Sequence, residues 1–183
     1  MKNSSFKRDI KAFGSIRGLV ITSLLTAMSV VIGILCKTFL NFGMGLFRIT
    51  FENFPIIISG LMFGPLVGGV VGFTADLLSC LLAGQSPNPI ISVGAVAIGA
   101  ISGFVSHYIY KKKNVFRVII SAIPAHIIGS MIIKPIGLYT WFGWGVLWRI
   151  PMYLLIAPVE IFIIVLLYKN KTFLKLIKGV ETL

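Results

Sequence analysis

The chain has 183 residues, of which 57% are hydrophobic and only 12% charged, and its mean hydropathy is +0.98. A soluble domain carries roughly 25% charged residues and cannot hide more than half of so short a chain in a core, so most of this protein must be solvated by lipid. Lys and Arg outnumber Asp and Glu by 17 to 5, yet they stand in short breaks between apolar runs, the pattern of membrane topology, and this excludes nucleic acid as a partner.

At about 20 apolar residues per crossing, the first run covers 18–36. Basic residues precede it, as in a signal peptide, but it closes on Ile34, Leu35, Cys36 and Lys37 without the small residues of a cleavage site. It is therefore expected to remain as the first helix. Ser23 and Ala27 on this run form a small-residue pair at helical spacing.

The next apolar stretch, 49–83, is interrupted only at Gly64 and Pro65. It holds either one crossing near 54–73 or two short, broken ones at 49–63 and 65–83. Further runs lie at 91–110, 115–134 and 149–168. Parity decides the count. With six crossings, five cations at the N-terminus (Lys2, Lys7, Arg8, Lys11, Arg17), four at the fourth break (Lys111, Lys112, Lys113, Arg117) and four in the tail (Lys169, Lys171, Lys175, Lys178) share one side, against Lys37, Arg48, Lys134 and Arg149 on the other. With five, the last two groups fall outside. The positive-inside bias selects six: an all-α integral membrane protein, a single domain, with six transmembrane helices and both termini cytoplasmic.

Gly60, Gly64, Gly68 and Gly72 recur every four residues, as do Ala95, Gly99 and Gly103. Such rows let backbones approach closely in lipid, and they either pack the bundle internally or face another membrane subunit. Prolines at 55, 65, 124, 135, 151 and 158 mark breaks that lipid tolerates where neighbours bury them or a cavity is lined. No repeat divides the chain into inverted halves, which disfavours a stand-alone rocking transporter. Cys36 and Cys80 fall towards the same ends of their helices, as apolar fillers or as a pair that could bridge.

The sequence has no GxxxxGK[ST] loop and so no such route to ATP. His107 and His126 stand alone, with no metal-ligand spacing. The triplet Gly84, Gln85, Ser86 is followed by Pro87 and Asn88, where a nucleophile turn needs glycine. An enzyme is therefore not expected. What remains is a polar set at membrane depth or at the outer rim: Arg48, Glu52, Asp76, Asn88, His126, Lys134, Arg149 and Glu160. Ionisable groups in spans default to functional sites. The structural alternatives are an Arg48–Glu52 pair at helical spacing, snorkelling by Lys134 and Arg149, and a His126 that bonds a carbonyl freed by Pro124. Tyr139, Trp141, Trp144 and Trp148 are either an interfacial belt or a stacking wall for a flat heterocycle. Cations, carboxylates and aromatics gathered at one face suit a ligand anionic at one end and planar at the other.

The run FRITFENFPIIISGLMFGPLVGGVVGFTADLLSCLL from Phe47 to Leu82, Pro87–Pro89, KPIGLY at Lys134–Tyr139 and WRIPMYLLIAPVEIFI at Trp148–Ile163 resemble the substrate-binding S components of energy-coupling-factor vitamin transporters. The chain is most similar to the folate-specific S component. The resemblance implies six helices and capture of one vitamin from outside. It also implies docking onto a transmembrane T component and two ATPase subunits that bind the ATP, so that the chain carries no cofactor of its own. An AxxxA-like docking motif maps to Ser23 and Ala27, and gating loops map to 37–48, 83–90 and 138–147. For folate, Asp76 or Glu52 could accept from the pterin, Arg48, Lys134 and Arg149 could take the glutamate carboxylates, and Tyr139, Trp141, Trp144 or Trp148 could stack. Asn88 and His126 complete the expected site. The alternatives are another vitamin or precursor (pantothenate, hydroxymethylpyrimidine, a queuosine precursor), a membrane-embedded enzyme, or a scaffold that only packs against partners. Two cysteines and an outward vitamin site suit the membrane of a Gram-positive bacterium.

Overall fold

The computed structural model describes residues 14–42, 47–110 and 114–170. The cations Lys2, Lys7, Arg8, Lys11, Lys111, Lys112, Lys113, Lys171, Lys175 and Lys178, and residues 43–46 of the expected first gating loop, lie outside the described residues.

Helix α1 spans Ile16–Phe39, three residues beyond the apolar run. Ser15 caps it, accepting from Gly18 N–H at 3.0 Å. Thr22 and Thr26 donate to carbonyls four residues back, which satisfies both hydroxyls inside an apolar stretch. A two-residue antiparallel pair follows, β1 (Asn41–Phe42) with β2 (Phe47–Arg48), in the register Asn41↔Arg48. This hairpin is the only β structure among the described residues. Two residues per strand carry no periodicity, so the sequence pattern holds no signal for it.

Helix α2 (Asn53–Phe63) is eleven residues long, about 16 Å at the rise of an α-helix and too short to cross a bilayer alone. Ten of its residues are buried, and α1, the two helices that follow it and the last helix all pack around it. An all-round apolar helix is stable only in such a central position. It stops at Gly64, whose φ of 95° lies in the left-handed region. Pro65 then opens α3 (Pro65–Leu82) at the position where a missing N–H costs nothing.

Helix α4 (Pro89–Phe104) runs on through a π-helical turn at Val105–Ile109. Helix α5 (Val115–Ala125) contains Pro124 and passes directly into a wider π stretch at His126–Ile133, as expected where proline removes an i→i−4 bond. Helix α6 (Lys134–Phe142) extends past the expected end at 134 and ends at Gly143, φ 52°. A 3₁₀ segment, Gly143–Trp148, leads into α7 (Arg149–Lys169). The third expected loop, 138–147, is thus helical throughout.

Four stretches are long and apolar enough to cross a membrane: Ile16–Phe39, Pro65–Leu82, Pro89–Ile109 and the continuous helical path Val115–Lys169, with α2 as a shorter apolar helix. Large apolar side chains such as Leu24, Phe116, Leu155 and Phe162 stand exposed around the outside, the surface of an all-α membrane protein rather than of a water-soluble one. Inside, Ile56, Ile57, Leu61 and Phe63 of α2 meet Val71 of α3, Ile98 of α4, Val118 of α5 and Ile164 of α7.

Both glycine rows pack against each other within the bundle. A Cβ at Gly99 would lie 1.9 Å from the Gly68 carbonyl oxygen, one at Gly72 2.3 Å from the Ala95 oxygen, and one at Gly103 2.5 Å from the Gly64 carbonyl carbon. These are backbone atoms and cannot yield. Gly69, on the next face, meets only ordinary contacts from 3.4 Å. Gly99→Leu is therefore expected to abolish folding, costing more than the ~1–3 kcal/mol of ordinary overpacking, whereas Gly69→Ala should leave it intact. Monodisperse elution of detergent-purified Gly99→Leu at wild-type yield would contradict this packing.

Candidate functional site

The polar side chains converge at the end of the bundle that carries the β1–β2 hairpin. Glu52, at the N-terminus of α2, is only 3% exposed. Its Oε2 lies 3.6 Å from Lys37 Nζ of α1, and its Oε1 lies 3.6 Å from Lys134 Nζ at the start of α6. Charges so buried persist only when paired. Each ammonium also directs one donor to a neutral side chain: Lys37 to Ser79 Oγ of α3, and Lys134 to Asn53 Oδ1 at 2.9 Å. Neither carboxylate oxygen of Glu52 accepts a hydrogen bond among the described residues. Arg48 and Arg149 also act electrostatically on Glu52, so four cations bear on this carboxylate.

Local structure explains the placement. Lys37 occupies the last turn of α1, where a cation complements the helix dipole. The Glu52 carbonyl accepts from Ser29 Oγ at 2.6 Å, which ties the start of α2 to the middle of α1. Gly33 leaves the space that the carboxylate fills, since a Cβ there would lie 2.7 Å from Oε2. Gly94 does the same for the Lys134 stem, at 2.7 Å from Cγ.

The network continues inward. Asn53 Nδ2 donates to Glu160 Oε2 of α7 at 3.5 Å, and the same oxygen lies 3.3 Å from His126 Nε2. Asp76 is buried and accepts from Ser92 Oγ of α4 at 2.8 Å through Oδ2, while its Oδ1 accepts no hydrogen bond among the described residues. Asp76 and Lys134 interact electrostatically. Tyr153, buried on α7 one turn after Arg149, approaches Thr50 Oγ1 with its hydroxyl at 3.5 Å.

Arg48, Glu52, Asp76, Lys134 and Arg149 are thus brought together, with His126 at the inner edge. Lys134 does not snorkel: it is 1% exposed and turned into the bundle. Asn88 serves elsewhere, capping α4 through Ile90 N–H at 3.0 Å and donating to the Gly137 carbonyl of α6 at 2.8 Å. The aromatics stand on the surface, with Tyr139, Trp141, Trp144 and Trp148 at 46%, 56%, 76% and 63% exposure. Tyr139 meets Trp144 edge-on at 5.7 Å. Ser23 and Ala27 are exposed on α1 and line an external groove of about 520 Å³ with Val70, Thr74 and Leu78 of α3. Cys36 and Cys80 are buried free thiols.

Sequence reasoning missed Lys37, Asn53, Ser79, Ser92 and Tyr153 as members of the cluster. Two had a readable signal: Ser79 follows Asp76 by three and Tyr153 follows Arg149 by four, the spacings that share a helix face. Among the described residues no group of three or more His, Cys, Asp or Glu is placed to hold a metal ion. The chemistry available is recognition of an anion by buried cations, beside a carboxylate able to accept from a donor.

Comparison with known proteins adds three findings. The family model "ECF transporter, substrate-specific component" matches residues 17–180. The folate transporter FolT of Clostridium novyi (strain NT) is 34% identical over 101 residues, 52% of this chain; the chain spans about half, 55%, of that relative's length. The crystal structure of FolT bound with folic acid shares the fold with a TM-score of 0.63 at 20% identity, covering 82% of this chain and 90% of that one.

The pairing of Glu52 with Lys134 has a direct thermodynamic signature. Lys134→Met should destabilise by about 3–5 kcal/mol, because it leaves a buried carboxylate half-compensated. Combined with Glu52→Gln, the cost should fall short of the sum by about 1–3 kcal/mol. Additive costs in a denaturant titration of detergent-solubilised protein would show that the two groups do not interact.

Proposed function

Since the chain belongs to the substrate-specific components of ECF transporters, we propose that it captures folate at the outer face of the cell membrane for ATP-driven uptake. One observation carries the choice of ligand: in one buried cluster Lys37, Arg48, Lys134 and Arg149 outnumber the carboxylates Glu52, Asp76 and Glu160, an excess of cations that suits the carboxylates of a glutamate tail. The names of the similar proteins, a folate transporter and a structure holding folic acid, support the same reading. Asp76, with one oxygen that accepts no hydrogen bond, is the acceptor for the amino and ring N–H groups of the pterin. Glu52 and His126 border the site, and Tyr139, Trp141 and Trp148 are exposed aromatics available to stack at its mouth.

In this reading the chain crosses the membrane six times with both termini cytoplasmic. The broken pair α2 and α3 counts as two crossings, supported by the distribution of cations in the sequence. The hairpin end then faces outward. The chain binds no nucleotide itself; two ATPase subunits do so beside a shared transmembrane T component. The exposed small residues Ser23 and Ala27 on α1 offer that component a close-packing face.

Calorimetric titration of the purified chain should give tight, one-site binding of folate. Arg149→Ala and Asp76→Asn should each weaken it about tenfold or more without loss of folded protein. Absence of heat with folate, or an unchanged affinity in both variants, would refute the assignment. Ala27→Leu should abolish uptake in cells that also hold the T component and ATPases while leaving folate binding intact; preserved uptake would move the docking face elsewhere.

A further inference from the structure

Glu52 is shared between two lysines, at the same distance from each. Both separations are 3.6 Å, beyond hydrogen-bond length, and neither oxygen accepts a hydrogen bond among the described residues. A permanent buried ion pair gains most from close contact and satisfied lone pairs, whereas Glu52 pairs with each lysine only at 3.6 Å and leaves its lone pairs without a hydrogen bond among the described residues. The lysines, in contrast, are positioned independently of it, Lys37 by Ser79 and Lys134 by Asn53. Asp76 and Glu160 each have a neutral donor of their own, Ser92 and Asn53. Glu52 is therefore the carboxylate whose partners are prepared for a carboxylate but not committed to this one.

From this we infer that Glu52 is an internal stand-in for the ligand's anionic end: it neutralises Lys37 and Lys134 while the site is empty and selects for ligands with enough negative charge to displace it. The inference rests on the folate reading and sharpens it, since it removes Glu52 from the pterin and leaves that role to Asp76. Selectivity follows from the difference between two costs. A monoanion entering the cluster must share the lysines with Glu52 and meets its repulsion at close range. A dianion can occupy both ammoniums, and Arg48 and Arg149 remain to balance the displaced carboxylate.

The test compares folate, with two tail carboxylates, and pteroate, which has the same heterocycle and a single carboxylate, on the purified full chain and its Glu52→Gln variant. Removing the competing charge should tighten pteroate binding about tenfold and folate binding by a smaller factor, narrowing the preference for folate; a larger gain for folate than for pteroate overturns the inference. Equal weakening of both ligands would mean that Glu52 accepts from the heterocycle, and unchanged affinities would mean that it is only structural; either overturns the inference. If Glu52→Gln proves too unstable to titrate, folate should raise its melting temperature by more than it raises that of the wild type, and an equal or smaller rise overturns it too. A wild-type chain that binds neither ligand refutes the folate reading instead.

Discussion

Charge buried inside a lipid-solvated bundle has to be neutralised within the bundle, and that requirement organises this molecule. Hydrocarbon outside offers no alternative partner for an ammonium or a carboxylate. Lys37, Glu52 and Lys134 come from α1, the start of α2 and the start of α6, so their mutual compensation fixes three segments far apart in sequence at one point. Asn53 passes the constraint to Glu160 on α7, and Glu160 to His126 on the π stretch after α5. The position of α2 makes the junction possible: a helix of eleven residues places its N-terminus, with Glu52 and Asn53, inside the bundle rather than at its rim.

The glycine seam supplies the complementary half of the site. Close contacts step along α3 and α4 in antiparallel register, Gly64 with Gly103, Gly68 with Gly99 and Gly72 with Ala95. One further turn along the same register brings Asp76 of α3 to Ser92 of α4, which donates to it at 2.8 Å. The backbones are close there because the three contacts before them involve no side chain larger than the methyl of Ala95. A packing motif thus determines which carboxylate in α3 is buried, and with what partner.

These origins explain what could be read from the sequence. The apolar runs, the break at Gly64–Pro65 and the polar set containing Glu52, Asp76, Lys134 and Arg149 are local signals, visible because lipid imposes a strong compositional rule on each run. Lys37 was counted only as a charge that orients the chain, since its role depends on Ser79 and Glu52, which are distant in sequence. The direction of an aromatic side chain is equally non-local: Trp141, Trp144 and Trp148 share a spacing compatible with a wall, yet the helical turn they occupy directs them outward. The hairpin escaped notice because its pairing is set by the ends of α1 and α2 rather than by any strand pattern.

Helix α1 joins the two halves of the proposed function. Its inward face carries Ser29, Gly33 and Lys37, which respectively hold the Glu52 backbone, make room for its carboxylate and pair with it. Its outward face, one to two turns earlier, exposes Ser23 and Ala27 beside the groove formed with α3. The opposite wall of that groove belongs to the helix that carries Asp76 and Ser79. Both helices that border the groove therefore contribute to the anion cluster, and the groove's shape depends on how α1 and α3 are held together. Lys37 with Ser79 is a polar tie between them. In the proposed function, a partner docking on this face would meet two helices joined through the candidate site itself, so that capture and docking would share the same structural elements.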